Sequence, residues 1–268
     1  MDIQTLSKSK DTLRLMLSNT NYVFVNTLRR IMMTDVPTLA VKSVSFSKNT
    51  TALFDEIIGH RLAMIPLITD LESYTLQEKC TCKGEGCVKC QTIMSVNCEG
   101  PITLYSQDLK IQDPNVKPVE GKIPIVKILK GQELEFEAKI TLGKGLDHAK
   151  YITGLVYYRG YPEFIPHKKT LVKEALKACD GLLEEKSDKL HVTDFNKWNE
   201  QYEQICREHE IEIKNSDKDF IFTIESKGKI SCEEMLKKSL DVLDEKLNLF
   251  AEKLKTAKWE KQDHKIFN

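Results

Sequence analysis

The chain of 268 residues has no excess of either charge, since Lys+Arg and Asp+Glu each total 40. A balanced chain spreads no strong field over its surface, which disfavours a freestanding binder of polyanions. Aromatic residues are scarce at 7%, too few to interleave with a basic face as single-strand binders require. Long apolar runs are missing as well. No window approaches the roughly 18 uninterrupted apolar residues of a membrane span, and MDIQTLSKSKDTLRL lacks the apolar stretch of a secretory signal. These absences lead us to expect a cytoplasmic globular protein without a membrane partner, touching nucleic acid only indirectly. The sequence also has no Walker loop, no GxSxG, no HExxH and no aspartate triplet for magnesium, so no catalytic constellation is predicted.

What is present is concentrated. Four of the eight cysteines, Cys80, Cys82, Cys87 and Cys90, fall in CTCKGEGCVKC as C-x-C-x4-C-x2-C, with Gly84 and Gly86 between the pairs. In a reducing compartment disulfides are rare, and each close pair is too short for an easy unstrained bridge. Zinc in a tetrahedron of thiolates is the leading reading, with an iron–sulfur cluster or a metal-free thiol loop as the others. A redox C-x-x-C is disfavoured because no βαβ pattern surrounds it. With all four positions filled by protein, the predicted site is structural. The scattered Cys98, Cys179, Cys206 and Cys232 read as small packing residues.

Periodicity organises the rest. TLRLML (12–17) and FIFTI (220–224) read as half-buried strands, each followed by a helix. In the first helix Phe24, Leu28 and Ile31 share a stripe, and Pro37 prevents continuation. Before the second, Ser231 and Glu234 form a capping box. Leu236, Leu240, Leu243, Leu247, Phe250 and Leu254 then recur at spacings of four and three, an a/d seam of nearly three heptads. Such a seam packs either on the chain's own sheet or on a helix of another chain. Short apolar stretches between the two ends predict a β-rich insertion, with the polar loop of about 70–91 ordered by a metal. The stretches KKTLVKEALKACDGLLEEK and DFNKWNEQYEQICREHEIE read as two amphipathic helices.

Taken jointly, NTLRRIMMTDVPTLAV (26–41), NTTALFDEIIGHRLAMIPL (49–67), YSQDL (105–109), GKGLDHAKY (143–151) and FTIESKGKISCEEML (222–236) resemble the alpha-like assembly subunits of DNA-directed RNA polymerases, above all the archaeal D-type member. The resemblance implies an α+β fold with a discontinuous dimerisation domain (1–41 and 219–268), an inserted β-rich domain (42–165) and a small helical third region (166–218). It also implies pairing with a small alpha-like subunit of the L type through the C-terminal helix, on which the second-largest and then the largest subunit assemble. By the same resemblance Asn26, Arg29, Arg30, His60 and Arg61 are expected at the large-subunit interface, and Leu236 to Leu254 at the small-subunit interface. His60, in ExxxHRLxxIPL with Glu56, and His148, in GLDHAKY, read as structural or interface histidines rather than catalytic ones. Some relatives carry a ferredoxin-like cysteine run in the third region; only Cys179 and Cys206 stand there here, so no iron–sulfur cluster is expected. The alternative function is a zinc-stabilised scaffold of another complex.

Overall fold

The computed structural model describes residues 1–186 and 189–256. The chain begins with strands β1 (Asp2–Lys8) and β2 (Thr12–Ser18), helix α1 (Tyr22–Thr34), strand β3 (Thr38–Asn49) and helix α2 (Asp55–Met64). After the cysteine loop come β4 (Gln91–Glu99), β5 (Ile102–Tyr105), β6 (Lys110–Ile111), β7 (Pro124–Ile128), β8 (Glu133–Gly143) and β9 (Gly154–Pro166). Helix α3 (Lys169–Ala178), strands β10 (Leu183–Lys186) and β11 (Lys189–Val192), helix α4 (Glu200–Glu208), strand β12 (Ile211–Ser226) and helix α5 (Cys232–Thr256) complete it.

Both ends of the chain share one antiparallel sheet in the order β1-β2-β12-β9. Alternation in β2 puts Leu13, Leu15 and Leu17 in the core, and the register sets them opposite Ile224, Phe222 and Phe220 of β12. Against this face pack Val25, Leu28 and Met32 of α1 and Met235 of α5. Truncating the fully buried Phe222 to Ala would cost roughly 3–5 kcal/mol. Asn21 Oδ1 caps α1 by accepting from the Phe24 N–H at 2.9 Å; Phe24 is only half-buried, and the buried stripe runs through Val25, Leu28, Ile31 and Met32. Helix α5 starts where the Ser231 hydroxyl accepts from the Glu234 N–H at 3.2 Å. Its 25 residues span roughly 38 Å.

Three expectations are corrected. The strand Gly154–Pro166, placed by sequence in the insertion, pairs along β12 in the terminal sheet, so the inserted sheet ends near Gly143 and begins already at Thr38. The third region is not purely helical. LEEK (Leu183–Lys186) forms one strand of the hairpin β10-β11, and helix occupies only α3 and α4, around a core that includes Phe164, Trp198 and Ile211. Lastly, β12 is buried on both faces between Phe220 and Ile224 rather than on one. The second face is covered by the turn before α4, where Arg14 Nη1 donates to Phe195 O at 2.8 Å and Asn196 Oδ1 at 2.7 Å. Local alternation reads one layer, and a third layer added from elsewhere in the chain is invisible to it.

The insertion is a sheet β3-β8-β4-β6 with the ribbon β5-β7 and α2 closing over a core of Leu39, Ile58, Leu62, Met94, Phe136 and Ile140 among others. Where the chain passes between the two bodies, buried hydroxyls satisfy the backbone. Thr38 Oγ1 donates to Tyr151 O at 2.7 Å, Thr153 Oγ1 donates to Met32 O at 2.9 Å, and Thr69 Oγ1 accepts from the Leu39 N–H at 2.9 Å. Each removes a buried polar group that would otherwise cost about 1–3 kcal/mol.

Candidate metal centre and subunit interfaces

The cysteine loop is shaped by two tight turns. Lys83 N–H returns to Cys80 O at 3.0 Å, and the Cys90 and Gln91 N–H groups converge on Cys87 O at 2.9 and 3.0 Å. Positive φ at Lys83 (54°), Gly84 (90°) and Gly86 (96°) allows the reversal between them. At Gly86 a Cβ would also meet the Gln91 side chain at 2.5 Å.

These turns bring all four thiols within 4.8 Å of one another. The Sγ separations are 3.6 Å for Cys80–Cys87, 3.6 Å for Cys82–Cys90 and 3.9 Å for Cys87–Cys90. A tetrahedral ion with metal–sulfur bonds of about 2.3 Å requires edges of roughly 3.8 Å, and these three edges match it, so the cluster is compatible with zinc. None of these distances suits a disulfide, and all eight cysteines are free. Hydrogen bonding, first from the Gly86 backbone and then from Cys80, holds the Cys82 thiol down to about 6, while burial pushes Cys90 up to about 12. A cation at the centre would relieve that burial penalty by making thiolate the favoured form at each position. The four protein sulfurs close the coordination shell, which suits a structural ion.

The arginine pair divides. Arg29 Nε and Nη2 both donate to Asn26 Oδ1, at 3.1 and 3.0 Å, so the two side chains form one half-buried unit on α1. Arg30 beside them is exposed. On α2, His60 and Arg61 are exposed as well, and Arg61 Nη1 reaches back to Ile125 O at 2.6 Å. Among the described residues no hydrogen bond or ion pair joins the α1 group to the α2 group, nor Glu56 to His60. His148 has a local task, its Nδ1 accepting from the Lys150 N–H at 3.0 Å to cap a short 3-10 turn.

The seam of α5 separates from the face that the chain itself covers. Cys232, Met235 and Ser239 are buried against the terminal core. Leu236 and Leu243 are half-buried, whereas Leu240, Leu247, Phe250 and Leu254 are 42%, 56%, 61% and 39% exposed. Beyond Leu243 the described helix is exposed all round, tethered by the ion pairs of Lys246 Nζ with Asp35 Oδ1 at 2.8 Å and of Glu245 with Lys79 at 2.9 Å.

Two features escaped the sequence reading. Lys79, next to the first cysteine, pairs with Glu245 of α5 at 2.9 Å, and Lys229, in a run of polar residues that resembles a surface loop, is buried at the junction. Neither leaves a mark in the sequence, because both depend on segments far apart in the chain. Among the described residues, no helix is long and apolar enough to cross a membrane.

Comparison with known proteins bears on the whole arrangement. The family model for the RNA polymerase Rpb3/RpoA insert domain matches residues 44–154, a span that ends where β9 begins. The chain is 39% identical to DNA-directed RNA polymerase subunit Rpo3 of Pyrococcus furiosus, over 95% of this chain and 97% of that protein. It is 36% identical to subunit Rpo3 of Thermococcus kodakarensis, over 95% and 98%, and 34% identical to that of Methanosarcina acetivorans, over 91% and 94%. A sheet built from both chain ends, the matched insertion between them and identity along nearly the full length place this chain in the Rpo3 family of DNA-directed RNA polymerase subunits, the archaeal alpha-like type.

Proposed function

We propose that this chain is the platform on which a DNA-directed RNA polymerase is assembled, and that it contributes no catalytic residue to nucleotidyl transfer. The terminal domain pairs through α5 with a small alpha-like subunit of the L type. The second-largest and largest subunits then dock, using Asn26, Arg29 and Arg30 on α1 and His60 and Arg61 on α2. One structural zinc ion, held by Cys80, Cys82, Cys87 and Cys90, orders the loop of the insertion. DNA is met only through the completed enzyme, in the cytoplasm. Family membership disfavours the alternative of a scaffold for an unrelated complex.

The observation that carries this reading is the apolar seam left open on α5, with Leu247 and Phe250 both more than half exposed. Water-facing leucine and phenylalanine at heptad spacing contribute nothing to a monomer, and a facing helix removes them from solvent. Co-expression with the small alpha-like subunit tests it. Leu247→Glu would strand a charge in the seam at a cost on the order of 3 kcal/mol, roughly a hundredfold in affinity. Heterodimer recovered at the wild-type yield and affinity would refute the interface.

A further inference from the structure

The exposed apolar surface of α5 is wider than its heptad seam. Leu249 is 52% exposed and lies roughly 160° around the helix from Leu247, with Phe250 and Leu254 between them. Leu249 and Val242 form one wall of a cleft of about 820 Å³. The facing wall is the stem of the cysteine loop, Leu71 and Leu76, with Leu142 at the end of β8. Six of the eight rim charges are matched within the chain, Lys79 with Glu245 at 2.9 Å, Lys246 with Asp35 at 2.8 Å and Lys238 with Asp241 at 3.7 Å, which leaves Lys144 and Glu252, one of each sign. An occupant therefore gains chiefly by bringing apolar groups to the floor. The cleft is continuous with the seam, because Leu249 and Phe250 are neighbours on the same helix turn.

We propose that the polypeptide pairing along the seam sends a second, apolar segment across α5 into this cleft, gripping the helix on both flanks and resting on the stem of the metal loop. The proposal rests on the seam being an intermolecular interface. It couples this wall of the cleft to the metal, since Lys79, which pairs with Glu245 of α5, immediately precedes Cys80, while Leu71, Tyr74 and Leu76 anchor the rest of the stem in the insertion core.

A photo-crosslinking amino acid placed singly at Leu247, Leu249 and Leu76, in the heterodimer co-expressed with the small alpha-like subunit, tests both readings separately. Crosslinks to the small subunit from all three positions are expected, with the Leu76 product lost on treatment with a zinc chelator and the Leu247 product retained. Leu249→Asp, on an exposed position that does not endanger folding, should weaken the heterodimer about tenfold. A Leu247 crosslink without one from Leu76, or a Leu76 crosslink to a different subunit, overturns the cleft proposal and leaves the seam standing. Absence of the Leu247 crosslink overturns both.

Discussion

Lys229 is 5% exposed, and its ammonium donates to the Lys150 carbonyl, with Lys227 the charge that bears on it electrostatically. Burial first, and then the like charge of Lys227, push its pKa down from 10.5 to about 8. The sign follows from proton counting. Between about pH 8 and 10.5 the unfolded chain holds a proton that the folded one has released, so stability attributable to this residue rises with pH through that window, and below pH 8 the full penalty of the buried charge applies. Lys229→Met should therefore be more stable than the wild type at pH 7, by up to about 3 kcal/mol, with the difference shrinking as the pH approaches 10.5. Denaturant titrations at pH 7 and 9.5 measure this. A Met variant that is less stable by the same amount at both values would show that the hydrogen bond to Lys150 outweighs desolvation. At the same scale, the pairing of Arg29 with Asn26 explains why a cation at that position does not behave as a free surface charge: its guanidinium is half committed before any partner arrives.

At the level of elements, the cysteine loop and α5 illustrate opposite ways of ordering a segment. The loop has little apolar surface of its own, and only Cys80 and Cys90 of its ligands are buried, so metal–sulfur bonds must replace the missing core. Replacing Cys87 and Cys90 together by serine should abolish stoichiometric metal, read by elemental analysis, and make the 70–91 loop the first site of proteolysis while the terminal sheet keeps its cooperative unfolding. Metal retained at one ion per chain by the double variant would rule out the cage. Helix α5, by contrast, is written locally through its cap and its heptads. Only its first half is held by the chain's own core, through Cys232, Met235 and Ser239.

For the whole molecule, the junction of the two bodies carries Leu71, which packs against both cores, the buried hydroxyls of Thr38, Thr69 and Thr153, and backbone bonds from Leu146 N–H to Thr34 O and from Thr69 N–H to Lys229 O, both at 2.9 Å. Such bonds have direction, so they fix how the insertion is oriented as well as how close it lies. That matters for the platform proposed above, whose proposed docking groups sit on α1 in one body and α2 in the other. Arg29→Ala combined with Arg30→Ala should leave the heterodimer intact while reducing capture of the second-largest subunit at least tenfold, as a lost charge-assisted fork of about 1.5–3 kcal/mol predicts. Pull-downs at matched concentrations check it, and undiminished capture would remove α1 from the interface.

The sequence by itself determined what depends on near neighbours. The thiol cage follows from eleven residues and two turns, the strands Thr12–Ser18 and Phe220–Ile224 from their alternation, and α5 from its cap and heptad spacing. Tertiary structure alone decided the rest. It assigned Gly154–Pro166 to the terminal sheet, because strand pairing is chosen by a partner some sixty residues away and not by the strand's own pattern. It put LEEK (Leu183–Lys186) into a hairpin instead of a helix, because pairing and a shared core outweigh helix propensities worth only tenths of a kcal/mol per residue. It buried Lys229 and set the stem of the cysteine loop against α5, since the free energy of a side chain depends on which distant surfaces close over it.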